Sequence, residues 1–321
     1  MSLEISVIIP TYNRGRVIQT TVESVLLQNI DADLVEVIIV DDGSTDNTWD
    51  VLQMLYGTNP RVRLFRTENS GVARARNFGL KQARGEFIAY LDHDDVWLPD
   101  KLKLQHAEIT KNPDVGVVYC NWVAVDETGN EMPSIIQFQR HWWWQPAEGN
   151  VFPWILLPHP YEIIRNPIVS MSVPLMRTAA LRDIGGFDAQ LVPSDDWDLW
   201  IRLAQKTHFS YAPQVLVHYV HHSLQQHKQM HNAYSSVIKI CRKHKVSWHL
   251  HPWVRWKQEM IIRYCLAFMN FPEAKNALAK SNYYKVFFLA TRAAFWRPDI
   301  LITRRWSTLL YRALTRQSKP Y

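Results

Sequence analysis

Three carboxylates fall within four residues at Asp92, Asp94 and Asp95, directly after the apolar run Phe87 to Leu91. Such a run reads as a buried strand. It delivers Asp92 and Asp94 to a sheet edge, where their mutual repulsion is best relieved by a hard divalent ion with oxygen ligands. Two carboxylates are too few to cage Ca²⁺, but they suit Mg²⁺ or Mn²⁺, which takes its remaining ligands from water and a substrate diphosphate. The ion then neutralises charge that builds on a leaving phosphate.

Two further polar loops follow apolar runs. Pro10, Thr11, Tyr12, Asn13 and Arg14 close the run that starts at Ile5, and Asp41-Asp42-Gly43-Ser44-Thr45-Asp46 closes the run from Val35. With the loop at Asp92, they converge on one edge, which implies a nucleotide site. Asp41 or Asp42 can accept hydrogen bonds from a base imide or ribose hydroxyls, Gly43 permits close backbone approach, and Arg74 and Arg76 can meet phosphate. The competing reading of Asp41 to Ser44 is an ordinary turn with a helix cap, and that of Arg74 and Arg76 a solvated helix face. Asp195 and Asp196 form another acidic pair. Ser194 can cap a helix whose first turn holds both, with Leu199, Trp200 and Leu203 on its apolar face; the bland alternative is that the pair complements the helix dipole.

The elements expected to position these residues alternate in type. Strands are expected at Ile5 to Pro10, Val35 to Val40, Val62 to Phe65, Phe87 to Leu91 and Val115 to Cys120, and helices at Arg16 to Gln28, Gly71 to Ala83 and Asp100 to Asn112. A last strand, Val215 to Val220, ends in His221 and His222. Repeated βα units predict an α/β fold with a doubly wound, mostly parallel sheet and ligands beyond its carboxyl ends. No Gly-x-Gly-x-x-Gly follows the first strand and no Gly-x-x-x-x-Gly-Lys occurs, which disfavours dehydrogenases and P-loop kinases.

Charge divides the chain. Residues 1 to 224 carry 18 Lys+Arg against 27 Asp+Glu, a balance of −9, whereas residues 225 to 321 carry 18 against 3, a balance of +15. An acidic domain built around a metal and a basic C-terminal region facing an anionic surface are expected. At 321 residues and 47% apolar the chain can fill a sizeable core, and its longest apolar run, Val151 to Leu157, is too short to span a bilayer. The N-terminus reads as a strand and polar loop rather than a leader. Cys120, Cys241 and Cys265 lack metal or redox spacing, so a cytoplasmic setting is expected.

Taken in order, Val7-Ile-Ile-Pro-Thr-Tyr-Asn-Arg14, Ile39-Val-Asp-Asp-Gly-Ser-Thr-Asp46, Ala75-Arg-Asn-Phe-Gly-Leu80, Ala83 to Asp94, Gly185-Gly-Phe-Asp188 and Asp195-Asp-Trp-Asp-Leu-Trp200 resemble the family 2 glycosyltransferases of GT-A fold. The match runs over about residues 3 to 224, which reads as a Rossmann-like catalytic domain followed by a helical appendage at 225 to 321. The resemblance implies inverting transfer from a nucleotide sugar, commonly a UDP-sugar, to a saccharide or lipid-linked acceptor. It places Asp42 and Asp41 on uridine, Thr11 and Tyr12 in the nucleotide pocket, Asp92 on ribose or metal, and Asp94 on Mn²⁺ or Mg²⁺. His93 takes a variable position on the nucleotide side, its imidazole turned from the ion, and Arg76 faces phosphate. Asp196 becomes the general base with Asp195 orienting the acceptor, and His222 a further metal or diphosphate ligand, although Val220 replaces an arginine common in relatives.

The Gln-x-x-Arg-Trp motif of processive synthases is absent, so addition of a single residue is expected. A phosphatase built on Asp92 and Asp94, or a non-catalytic nucleotide-sugar-binding scaffold, are the rivals; the first leaves Asp41-Asp42 and Asp195-Asp196 unexplained, and intact Asp94 and Asp196 argue against the second. Trp142, Trp143, Trp144 and Trp154 lie in a variable segment suited to sugar stacking, lipid or lid packing. In the basic region, Tyr284, Phe287, Phe288, Thr291 and Phe295 are at helical spacing beside Lys285 and Arg292, and Ile302, Trp306, Leu309, Leu310 and Ala313 form a second stripe. They predict peripheral attachment to the inner face of the cell membrane, with packing of both stripes in the protein as the alternative and no nucleic-acid role.

Overall fold

The computed structural model describes residues 3–132, 170–221, 230–244, 263, 277–280, 282–296 and 310–311. Strands β1 (Ile5–Thr11) and β2 (Val35–Asp41) are buried throughout, as expected for β-branched runs covered on both faces. They pair in parallel from Ile5 opposite Val35 to Thr11 opposite Asp41, so the two loops leave the sheet side by side. In chain order follow β3 (Val62–Arg66), β4 (Phe87–Tyr90), β5 (Val96–Trp97), β6 (Val115–Val125), β7 (Leu175–Arg177) and β8 (His208–Val220). The sheet order is β3-β2-β1-β4-β7-β6-β8-β5.

Strand β7 runs antiparallel to both β4 and β6, and β8 runs parallel to β6. The two reversals leave β1, β2, β4, β6 and β8 with their carboxyl ends on one edge. Strand β6 passes its expected end at Cys120 because register shifts at Cys120, Asn121 and Trp122 absorb the polar residue, whose Nδ2 donates to the Pro213 carbonyl at 2.7 Å.

Helices α1 (Ile18–Leu26), α2 (Thr48–Tyr56), α3 (Val72–Gln82) and α4 (Lys101–Lys111) connect the first strands, with α5 (Thr178–Asp183) and α6 (Asp195–Ala204) later. Helix α3 sits unusually close to β1. A Cβ on Gly79 would lie 2.3 Å from Ile8 Cγ2, so only glycine admits this approach. Helix α4 buries Lys101, whose Nζ lies 3.9 Å from the Trp97 ring centroid and donates to Gln105 Oε1 at 2.7 Å. Burial pushes its pKa down to about 7.

The described residues divide into two compact units, the first holding the eight strands with α1 to α6 and the second holding α7 (Met230–Lys243) and α8 (Tyr283–Trp296). In α8 the buried seam is Val286, Leu289, Ala290 and Ala293. Of the expected apolar stripe, Tyr284 is 92% and Phe288 63% exposed, on the same side as exposed Lys285, Thr291 and Arg292, so these two side chains do not pack in the buried seam. No helix among the described residues is long and apolar enough to cross a membrane. His222, Cys265, the tryptophans between 142 and 154, the Phe295 side chain and most of the second stripe lie outside the described residues.

Candidate functional site

The loops after β1 and β2 are built as one unit. Asn13 adopts a left-handed φ of 53°, tolerable for asparagine, and its Oδ1 accepts from the Thr45 and Asp46 amides at 2.8 and 3.3 Å while its own amide donates to Ser44 Oγ at 2.9 Å. The Arg14 amide donates to Thr48 Oγ1 at 2.8 Å. Asp41 is buried within the turn: its Oδ1 accepts from the Ser44 amide at 3.1 Å and from the Ser44 hydroxyl, and Arg66 Nε lies 3.2 Å from Oδ2. Asp42 accepts the Ser70 and Gly71 amides at 2.9 and 2.8 Å, at the entrance to α3. Both carboxylates thus have protein partners. Gly43 is required for this close approach, since a Cβ would meet the Asn69 amide at 2.7 Å. Thr11 Oγ1 is buried beside these loops without a hydrogen-bond partner among protein atoms, and Tyr12 is exposed.

Helix α3 carries Arg76 inward rather than onto a solvated face. Its Nη2 meets Asp92 Oδ1 at 2.6 Å and its Nη1 meets Asp195 Oδ2 at 3.3 Å, with the guanidinium carbon 5.3 Å from the Phe187 ring centroid. The two carboxylates hold Arg76 firmly charged against its burial. Asn77, next in the sequence, fixes that ring: Nδ2 donates to the Phe187 carbonyl and Oδ1 accepts its amide, each at 2.8 Å. Gly186, at φ 71°, leaves room for Asn77 Oδ1, which a Cβ would approach to 2.4 Å. The glycine motif at 185 and 186 is thus a seat for the arginine.

Residues between β4 and β5 hold the acidic loop from beneath. Asp95 is buried; its Oδ2 accepts from Ser172 Oγ and lies 3.0 Å from Ser170 Oγ, and its Oδ1 accepts the Val220 amide at 3.2 Å. Ser170 Oγ is also 3.3 Å from Asp92 Oδ2, and the Asp92 amide donates to Ser172 Oγ at 3.0 Å. Burial, reinforced by the charges of Asp94 and Asp92, raises the Asp95 pKa well above the carboxylate range. Serine hydroxyls carry no distinctive spacing, so Ser170 and Ser172 gave no signal in the sequence.

His93 lies between two oxygens, with Nδ1 3.2 Å from the Pro10 carbonyl and Nε2 3.9 Å from Asp94 Oδ2. The imidazole therefore turns its Nε2 toward Asp94. Burial lowers its pKa and favours the neutral ring. Among the described residues no three potential ligands gather into a preformed cage. Asp94 is partly exposed, while Asp92 has its oxygens engaged by Arg76 and Ser170. An open, oxygen-rich site of this kind fits Mg²⁺ or Mn²⁺ bringing water and diphosphate oxygens, and does not fit a self-sufficient Ca²⁺ cage.

Helix α6 places the second acidic pair on this edge. Asp195 is buried against Arg76, and burial raises its pKa although the guanidinium opposes the rise. Asp196 is half-buried, with Oδ1 accepting the Trp197 amide at 2.7 Å; burial and then the charge of Asp195 push it up to about 7. Behind them Leu199, Trp200 and Leu203 are in the core. Buried Asp198 holds Arg202 at 2.8 Å, and Arg202 donates to the Ile184 and Gly186 carbonyls at 2.7 Å, locking α6 to the glycine turn.

The fold and part of the sequence have counterparts in known proteins. The chain is 31% identical over 218 residues to the chondroitin synthase of Pasteurella multocida, covering 68% of this chain and 20% of that protein. It spans between 20% and 62% of the length of the curated relatives it matches. S. aureus TarS 1-349, solved in complex with UDP-GlcNAc, superposes with a TM-score of 0.60 at 19% identity, over 99% of this chain and 93% of that one. The mannosyltransferase PcManGT from Pyrobaculum calidifontis, in complex with GDP-Man and Mn²⁺, gives 0.59 at 21% identity, over 98% and 87%. The expected GT-A fold is thus the fold observed. The model of glycosyl transferase family 2 matches residues 6–168, half of the chain and all of the loops that carry Thr11, Asp42, Arg76 and Asp94, so this protein belongs to glycosyl transferase family 2.

Proposed function

We propose that the chain transfers a sugar, with inversion, from a UDP-sugar to a hydroxyl of a saccharide or lipid-linked acceptor. The observation that carries this reading is the tie from the acidic loop to α6 through Arg76, which sets Asp196 on the same edge as Asp94 and the loops after β1 and β2. In this reading Thr11, Tyr12 and Asp42 hold the nucleoside end with the Asn13 and Arg14 loop as support. Asp94, with Asp92 behind it, would hold Mn²⁺ or Mg²⁺, which when bound offsets charge on the departing diphosphate. Asp196, a carboxylate above about pH 7, takes the proton of the acceptor hydroxyl as its oxygen bonds to the anomeric carbon and the sugar–phosphate bond breaks on the opposite face. Asp195 and Arg76 keep Asp196 in place.

UDP-GlcNAc bound to one protein of this fold, and GDP-Man with Mn²⁺ bound to another, support the donor class and the cation. Calorimetric titration with UDP and GDP, each with Mn²⁺ and with chelator, followed by a turnover screen of UDP- and GDP-sugars, tests the reading. Absence of nucleotide binding under all conditions refutes it. A peripheral site on an anionic membrane is proposed for the basic C-terminal region, supported by exposed Tyr284 and Phe288 beside exposed Lys285 and Arg292 on α8.

A further inference from the structure

Trp122 on β6 and Tyr219 on β8 form an edge-to-face pair, with ring centroids 5.6 Å apart and an interplanar angle of 66°. Both rings are half-buried, Trp122 packing in part against the core, whereas Ala124 and Val217 on the same face are fully buried. The register explains the pairing. Trp122 lies beside Val217 and Ala124 beside Tyr219, so in these parallel strands all four side chains share one face and the two rings meet diagonally.

The pair also stands at the acidic edge. Val96 pairs antiparallel with His218, which sets Tyr219 across from Asp95, and the amide of Val220 donates to Asp95 Oδ1 at 3.2 Å. Burial, and after it the charges of Asp95, Asp94, Asp92 and Asp196, raise the pKa of the Tyr219 hydroxyl. The nucleotide loops leave β1 and β2 on one side of β4, and Trp122 and Tyr219 leave β6 and β8 on the other. At about 4.8 Å per strand, β6 is roughly 14 Å from β1. That spacing separates a nucleoside from whatever the aromatic pair holds, with the carboxylates between them.

The geometry points to Trp122 and Tyr219 as the acceptor subsite, an aromatic platform on which a pyranose ring stacks its C–H face while its hydroxyl is presented to Asp196. An aromatic face selects the apolar side of a sugar, and a phenolic hydroxyl beside it can take part in a hydrogen bond to a ring substituent. This assignment rests on the glycosyltransferase reading and adds which side chains hold the acceptor, narrowing it to a pyranose ring that offers an apolar C–H face.

The test uses the full chain and three neutral or acidic probes: cellotetraose, chitotetraose and unsulfated chondroitin tetrasaccharide, followed by saturation-transfer NMR, with UDP affinity measured in parallel by calorimetry. At least one probe is expected to bind the parent protein, and Trp122→Leu is expected to weaken it by about 10-fold or more, as for a single aromatic anchor, with UDP affinity unchanged. Tyr219→Phe, which keeps the ring pair, should weaken the same probe less. Should Trp122→Leu not fold, Trp122→Phe keeps an apolar ring and should lose affinity in the same direction. Saccharide binding that survives these substitutions, or no binding of any probe by the parent at millimolar concentration, overturns the platform. A fall in UDP affinity with saccharide binding intact places the rings on the donor side and overturns it equally. If the parent binds saccharide but no nucleotide, the transferase reading fails while the platform stands.

Discussion

Asp92 and Asp195, 103 positions apart in the sequence, sit on the two terminal nitrogens of one buried guanidinium, that of Arg76. A planar fork can hold two carboxylates at once where a lysine ammonium would not fix their directions. Arg76→Met leaves buried Asp195 and half-buried Asp92 without their counter-charge and should cost on the order of 3–5 kcal/mol in urea unfolding. Adding Asp195→Asn should restore part of that loss. A cost under about 1 kcal/mol would show that the fork does not hold the two acids in place.

UDP should bind with strong dependence on a divalent ion, and Asp94→Ala should remove that dependence, because Asp94 is the partly exposed acidic-loop carboxylate proposed to hold the ion against the diphosphate. Calorimetry with Mn²⁺ and with chelator reads both. Equal UDP affinity in the two conditions for the parent protein would sink the metal assignment.

Asp196→Asn keeps the shape and removes basicity. Transfer should fall by at least ~10²-fold while UDP affinity holds. Since the group is raised to about 7, kcat/KM of the parent should climb as pH passes through that value and level off above it, and the Asn variant should lose the climb. If Asp195→Asn is the inactive protein and Asp196→Asn is not, the base is Asp195.

Lys101 offers a reading of stability alone. Its folded-state pKa is lowered to about 7 from 10.5, so between these values the unfolded chain holds the extra proton and stability rises with pH; below about 7 the penalty is present in full. Lys101→Met should therefore raise the melting temperature most below pH 7, with a gain on the order of a few kcal/mol that shrinks toward pH 10. Destabilisation by Met at pH 6.5 would mean that the Trp97 and Gln105 contacts outweigh the burial of charge.

For the basic region, cosedimentation with phosphatidylserine vesicles at low salt should retain the protein, and Tyr284→Ser with Phe288→Ser should release much of it. Both positions are exposed, so the changes leave the buried seam of α8 intact. No retention of the parent would end the membrane proposal.

Much of this was legible in the residues. Continuous β-branched runs placed β1 and β2, and the order of loops placed Asp42 and Asp94 at one edge, to which the family resemblance added Asp196. What escaped had physical reasons. Helix α2 begins at Thr48 directly after Asp46 and Asn47, which read as turn; Asp46, just before the N-cap Asn47, accepts the Thr48 amide at 3.0 Å. The first half of β8 was hidden by Pro213, and β5 is two residues long. Arg76 looked like a phosphate ligand or a solvated face because its partner Asp195 is distant in sequence. In α8 period alone could not tell which of two apolar stripes is buried, since Val286 and Leu289 are as helical in spacing as Tyr284 and Phe288.

The seat of Gly79 on Ile8 gives the fold a fixed mechanical datum. Ile8 belongs to an interior strand held between β2 and β4, so a methyl group at position 79 would jack α3 off the sheet. Arg76 rides one turn earlier on that helix, and any lift would unhook it from Asp92 and Asp195 together. Alteration of substrate choice by directed evolution would therefore find its freedom on β6 and β8, where side chains stand clear of this fulcrum, and almost none along the inner side of α3.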